Sequence, residues 1–252
     1  MGKIETINRY PVKGLSAEEL ISANLRVDDC IAFDRAYAIA NGHRDFDAAA
    51  PKFMEKTKFL MLMRHEKLAA LHTRFDPETH MLTILRNDRQ VSKGCLQQPV
   101  GRKLIEQFFA AFLGDQILGT PHIVSAPGHS FSDVGVKCLS IINLATVRDL
   151  GRMMGEEINP LRFRGNLYID GFEPWSELNW VGKNIAINDM IVLQCFQRTR
   201  RCAATNVNPV TANRDLSVPA HISRALGHGD LGVYAKVTQD CHIARGATIT
   251  VD

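Results

Sequence analysis

The sequence is poor in the patterns that announce most common chemistries. No stretch of its 252 residues approaches the roughly 18 consecutive apolar residues of a membrane span. The start, Met1-Gly2-Lys3-Ile4-Glu5-Thr6, has no apolar core and no small-residue cleavage site, so the chain reads as soluble and cytoplasmic, with no membrane partner. Six cysteines are present, but no two form a CxxC pair. That argues against a zinc ribbon, a thioredoxin-type site and an iron–sulfur domain. Five of the six read as small core residues of a reducing compartment. Nine histidines are scattered without an HExxH. Charge of one sign is also lacking: 30 Lys and Arg against 27 Asp and Glu leave a formal +3, too little to mark a nucleic-acid partner. There is no internal repeat and no low-complexity segment.

What is present is a globular composition, 45% hydrophobic and 23% charged. Short extended runs dominate. Ile4–Tyr10, Leu20–Val27, Arg35–Ala40, Phe59–Met63, Ala69–Thr73 and Met81–Leu85 read as strands, with turns at Asn41–Asp47 and Phe75–His80. Leu104, Ile105, Phe108, Phe109, Phe112 and Leu113 recur at helical spacing before Gly114. A loop rich in proline and serine, Gly119–Asp133, follows. A second helix is predicted after Asn143, with Leu144, Val147, Leu150 and Met154 on one face. Asn166–Asp170, Lys183–Asn188, Met190–Phe196, Gly232–Val237 and Ala247–Val251 read as strands again. The fold class is therefore mainly β with a few helices (α+β), organised as residues 1–118 and residues 119–252.

Three clusters carry candidate chemistry. In Arg198-Thr199-Arg200-Arg201-Cys202, a cysteine follows three arginines. Guanidinium groups favour a thiolate, which is a nucleophile and a soft-metal ligand. In Arg162-Phe163-Arg164-Gly165-Asn166, alternation predicts Arg162, Arg164 and Asn166 on one face of an extended segment. Two guanidinium forks and an amide there suit a phosphate or a polar heterocycle; an exposed face paired with Asp170 is the plainer alternative. In Tyr10-Pro11-Val12-Lys13-Gly14, glycine permits close backbone approach and lysine adds a point charge, with Arg35 after Asp34 as a further fork. Trp175 and Trp180 read as packing residues.

These pieces, in this order, resemble the MOSC family, named for the molybdenum cofactor sulfurase C-terminal domain. The likeness rests on Tyr10-Pro11-Val12-Lys13-Gly14, Phe163-Arg164-Gly165-Asn166-Leu167-Tyr168-Ile169-Asp170, Trp175-Ser176-Glu177, Trp180-Val181-Gly182, Arg201-Cys202 with Thr205 and Pro209, and Gly232-Val233-Tyr234-Ala235. The first motif is similar to the β-barrel domain that precedes MOSC in the amidoxime-reducing branch. The resemblance implies a MOSC-type β-barrel after a smaller N-terminal β-barrel-like domain, and a molybdenum–pyranopterin cofactor. It implies Cys202 as the metal ligand and Lys13, Arg35, Arg164 and Asn166 in the pterin and phosphate pocket. Gly14, Arg162, Arg201 and Thr205 complete the candidate cofactor set. Gly14 stands where that branch carries serine, and Lys56 and Lys58 occupy a segment where it carries an arginine.

The implied reaction removes oxygen from an N-hydroxylated small molecule, with Asp133 as candidate proton donor. No iron–sulfur cluster and no pyridoxal phosphate lysine site is read in this chain. Electrons would come from a separate ferredoxin- or flavoprotein-type donor. Two other readings stay open: a sulfur carrier holding a persulfide on Cys202, served by a maturation or desulfurase partner, and a non-catalytic module that binds the cofactor.

Overall fold

The computed structural model describes residues 1–252. Its first part runs β1 (Gly2–Arg9), β2 (Glu18–Leu20), β3 (Ser22–Leu25), β4 (Ala38–Asn41), β5 (His72–Asp76), β6 (Met81–Arg86) and β7 (Arg89–Cys95) into helix α1 (Pro99–Leu113). Then come β8 (Pro121–Val124), β9 (Leu139–Asn143), α2 (Leu144–Met154), β10 (Leu167–Asp170), β11 (Asn184–Ile187) and β12 (Met190–Arg200). The chain finishes with α3 (Val218–Leu226), β13 (Asp230–Val237), β14 (Cys241–Ala244) and β15 (Thr248–Val251). The fold is mostly β with three helices. None of them is long and apolar enough to cross a membrane.

Seven strands close a barrel in the order β10-β9-β13-β12-β11-β15-β1, sealed by antiparallel pairing of β1 with β10. Closure removes the unpaired edges that an open sheet would expose. Inward residues alternate along the strands, as a half-buried sheet requires. Ile4, Ile7, Ile141, Ile169, Ile185 and Val233 are among 21 buried residues of this core. Trp180 joins it, while Trp175 donates from Nε1 to Asp149 at 2.6 Å.

A second core of 15 buried residues packs α1 against the sheet β5-β6-β7. Ile105, Phe109 and Leu113, spaced four apart, face it. Strands from both sides of residue 118 share sheets: β1 and β2 lie in the barrel sheet, β3 pairs with β14, and β4 pairs with β8.

Local chemistry explains the element ends. Asn143 accepts a hydrogen bond from Ala145 N at 3.1 Å, capping α2, and Gly155 ends it in the left-handed region. Pro99 opens α1 five residues before the apolar spacing begins, because proline suits the first turn.

Several predicted elements differ. Leu20–Val27 splits at the exposed Ile21, because β2 and β3 pair with different strands. Phe59–Met63 is no strand: after a 3-10 turn at Lys56–Lys58, only Phe59 bridges to Ala40. Contiguous apolar residues fill a core from an irregular segment as well as from a strand. Likewise, Glu66–Ala70 is a 3-10 turn and β5 starts at His72, so Phe75 lies in a strand. Arg35 sits in a turn at φ +54°, and β4 begins only at Ala38. Helix α3 has no counterpart in the sequence reading; its nine residues bury only Val218 and Ile222.

Candidate functional site

A cleft of about 270 Å³ opens where the rim of the barrel meets the first part of the chain. Its walls bring together Lys13, Gly14, Arg35, Asp133, Arg162, Arg164, Arg201, Cys202 and Thr205, which are distant in sequence.

Cys202 follows the end of β12 and precedes a 3-10 turn, Ala203–Asn206. Thr205 holds that turn: its Oγ1 donates to Cys202 O at 2.9 Å. The thiol is partly exposed. Arg162 secures the same turn from below. Its guanidinium grips Asp215 through two bonds of 2.7 and 2.8 Å and donates to Asn206 O at 3.1 Å.

The alternation expected across Arg162–Asn166 does not form. Pro160–Phe163 is a 3-10 turn, begun by Asn159 accepting from Leu161 N at 2.9 Å, and Arg164 follows at φ +51°. The turn rotates Arg162 into the protein and leaves Arg164 at the cleft. Asn166 does not line this cleft. It is buried, and its amide accepts from Ser140 N at 3.0 Å and donates to Asn8 O at 3.1 Å, tying β9 to β1. The pairing of this segment with Asp170 does not form either; Asp170 takes two bonds from Arg148.

On the opposing wall, Gly14 turns the chain at φ +86°, where an added Cβ would stand 2.7 Å from Leu60 O. That leaves Lys13 buried, with Nζ donating to Phe131 O at 2.9 Å and to Asp133 Oδ1 at 2.5 Å. Burial lowers the Lys13 pKa, and Asp133 partly restores it. Burial alone would raise the Asp133 carboxyl, but Lys13 holds it at about 2. Asp133 is therefore held as the ionised partner of Lys13 near neutral pH. Arg35 pairs with Asp34 and donates to Arg164 O at 3.1 Å. The guanidiniums of Arg35 and Arg164 lie 4.8 and 4.3 Å from the Tyr10 ring centroid, within cation–π reach.

Among the lining residues beyond the sequence-derived candidate set are Lys56, Thr199, Arg200 and Tyr234. Thr199 and Arg200 stand in the run before Cys202, Tyr234 in the Gly232–Ala235 motif, and Lys56 in the segment where the resembled branch carries an arginine. Burial pushes the Tyr234 hydroxyl up to about 12, so it keeps its proton.

Seven basic side chains and one acid line this cleft. Lys13, Arg35 and Arg162 are neutralised by Asp133, Asp34 and Asp215. Lys56, Arg164, Arg200 and Arg201 have no acidic partner within 4.0 Å. Burial presses the pKa of Arg164 and of Arg201 below the usual guanidinium range. Arg201 Nη2 and Thr199 Oγ1 are buried without a hydrogen-bond partner. A site with unpaired cations and orphaned donors around a thiol is built for an anion that also meets sulfur.

Residues 128–250 match the family model described as the MOSC domain. This segment is a MOSC domain. MOSC domains occur in molybdenum-cofactor-binding and sulfurase-like proteins. Among solved structures, the chain is similar to the YuaD protein from Bacillus subtilis, at 12% identity over 99% of this chain and 94% of that one, with a TM-score of 0.45. It is also similar to YiiM from Geobacillus stearothermophilus, at 16% identity over 45% of this chain and 53% of that one, with a TM-score of 0.35. No curated protein matches the chain in sequence. The MOSC segment supplies Cys202, Arg164, Arg200 and Arg201, whereas Lys13, Arg35 and Lys56 come from outside it.

Proposed function

We propose that the cleft holds a molybdenum–pyranopterin cofactor and that the protein reduces N-hydroxylated small molecules with electrons from a separate ferredoxin- or flavoprotein-type donor. The observation that supports this most is one thiol, Cys202, set among four cations without acidic partners. The residues present fit such a group. Cys202 would be the soft ligand to the metal, and Arg164, Arg200, Arg201 and Lys56 would offset the charge of the phosphate. The orphaned Arg201 Nη2 and Thr199 Oγ1 would find acceptors there.

When bound, that cofactor supplies two-electron chemistry that removes oxygen from an N-hydroxyl group and, with two protons, releases water. The chain's own residues do the rest. Arg162 and Thr205 fix the turn after Cys202, so the thiol keeps its position. Lys13, hydrogen-bonded to Asp133, and Tyr234, which keeps its hydroxyl proton, are the cleft groups we assign to proton supply. Met61, Leu62 and Met63 add an apolar margin suited to the body of a small organic substrate.

The test is molybdenum per chain by elemental mass spectrometry, with pterin fluorescence after acid oxidation. It compares the wild type with Cys202→Ser, both made in a host that supplies the cofactor. Near-stoichiometric metal and pterin in the wild type, metal loss in the variant, and reduction of an amidoxime with an artificial donor by the wild type alone are expected. No metal and no pterin in the wild type would overturn the proposal; a persulfide on Cys202 would then favour the sulfur carrier. Bound pterin without turnover of any N-hydroxylated compound would favour the non-catalytic module.

A further inference from the structure

A second cavity, of about 560 Å³, shares no lining residue with the cleft. Its volume is that of a small-molecule site. One side comes from the loop before β4, another from the segment after β8, and Arg102 of α1 and His80 of the β5–β6 turn face it.

Two features are unusual. First, Arg102 is a fixed fork without an acid. Its Nε donates to Leu96 O at 2.5 Å and one Nη2 proton goes to Ser125 Oγ at 2.9 Å. Nη1 makes no hydrogen bond, so three of the five guanidinium N–H groups stay free. The acids that line the cavity are already committed, Asp29 to Lys137 at 2.9 Å and Asp34 to Arg35. Second, two bulky residues of the wall stand in the left-handed region, Phe33 at φ +65° and His80 at φ +53°. Their rings meet edge to face at 5.5 Å, and Phe75 packs on Phe33 at 5.4 Å. His80 Nδ1 is tied to Tyr37 Oη at 2.7 Å. Strain of this kind persists where surrounding contacts impose it, and it clusters at ligand sites. Ile31, Ala36, Ala126 and Pro127 complete an apolar lining beside this aromatic wall.

The chemistry of the ligand follows from the count of charges. Lys137 is engaged, and burial holds His129 below the usual imidazole range, so it adds no charge near neutral pH. Arg102 is the one permanently charged cation left without an acid. A single planar fork matches a single planar anion, which favours a carboxylate over a phosphate dianion. We infer that this cavity binds a small carboxylic acid with a flat apolar body, its carboxylate on the free N–H groups of Arg102 and its body against Phe33.

Titration calorimetry with benzoate, the isosteric benzyl alcohol and inorganic phosphate tests this. Benzoate is expected to saturate the wild type, with both other probes at least about tenfold weaker. Arg102→Gln is expected to weaken benzoate by about tenfold or more, while Arg164→Ala, in the cleft, leaves it within about twofold. Arg102→Gln also removes bonds to Leu96 and Ser125, so Phe33→Leu provides an independent arm, with an expected loss of about threefold or more. No saturable benzoate binding, equal binding of benzyl alcohol, or tighter binding of phosphate would overturn the inference. So would loss on Arg164→Ala with none on Arg102→Gln, or unchanged affinity in Phe33→Leu.

Discussion

The two walls of the cleft carry the same sign of charge and handle it differently. On the wall built from the first part of the chain, Lys13 and Arg35 each meet an acid, Asp133 and Asp34, and only Lys56 meets none. On the wall built from the MOSC segment, Arg164, Arg200 and Arg201 meet none. A paired cation shapes a surface and is largely spent; a bare one waits for an anion. The excess of bare cations, three against one, makes the Cys202 side the more attractive one for an anion. The neighbours Arg162 and Arg164 make the same point at two residues' distance: one is locked to Asp215, the other lies free over Tyr10.

The harshest way to break the comparison is to collapse the bare wall. Gly232 lies at φ +77°, and an added Cβ would stand 2.5 Å from Ile141 O and 2.9 Å from Arg201 Nη2. Gly232→Val should therefore cost about 3 kcal/mol or more, read as a lowered midpoint in urea unfolding. Next comes the arginine pair. Arg162→Ala should lower stability by about 2 kcal/mol, since it strands Asp215 and the turn after Cys202, and Asp215 is partly exposed. Arg164→Ala should cost less than about 1 kcal/mol, the worth of its contact with Tyr10, yet lower cofactor occupancy far more than Arg162→Ala does per unit of stability lost. Thermal melts beside metal analysis would separate the two, and equal effects on both readouts would erase the distinction.

The smallest effect concerns pH. Asp133 titrates near 2 when folded and near 3.9 when unfolded, so its contribution is complete above about pH 4 and is lost as pH falls towards 2. Its side chain is 46% exposed, which keeps the contribution within the range of about 1 kcal/mol or less found for screened pairs. Asp133→Asn should flatten that part of the acid-stability curve. It should also leave Lys13 bare, and sulfate binding to the cleft at neutral pH should then rise. Unchanged sulfate affinity would mean that the paired wall does not contribute to the cleft's field.

Much of the barrel was legible because its strands alternate and its turns are marked: Lys183–Asn188, Met190–Phe196 and Gly232–Val237 all fall within observed strands or at their immediate ends. Residues that gather at the cleft were legible as motifs in order, since Cys202, Arg201, Arg164 and Lys13 stand in short, distinctive contexts. Orientation was not legible. Asn159-Pro160 starts a 3-10 turn, and that turn sends Arg162 inward and displaces Asn166 to a structural bond between strands. Pairing was equally hidden, because Asp215 lies 53 residues from Arg162 and Asp133 lies 120 from Lys13. Short elements such as α3 bury too few apolar residues to leave a period.

The seam of the barrel has a consequence for how the protein is made. Strand β1 pairs with β10, Lys3 opposite Asp170, and with β15, Gly2 opposite Ile249. Strand β1 therefore waits for β15, far along the chain, before its pairing is complete. Until residue 249 emerges, the edges of β1 and β11 stay open and prone to join other chains. Such long-range closure makes for slow folding. Deleting residues 248–252 would leave the nascent barrel permanently unsealed.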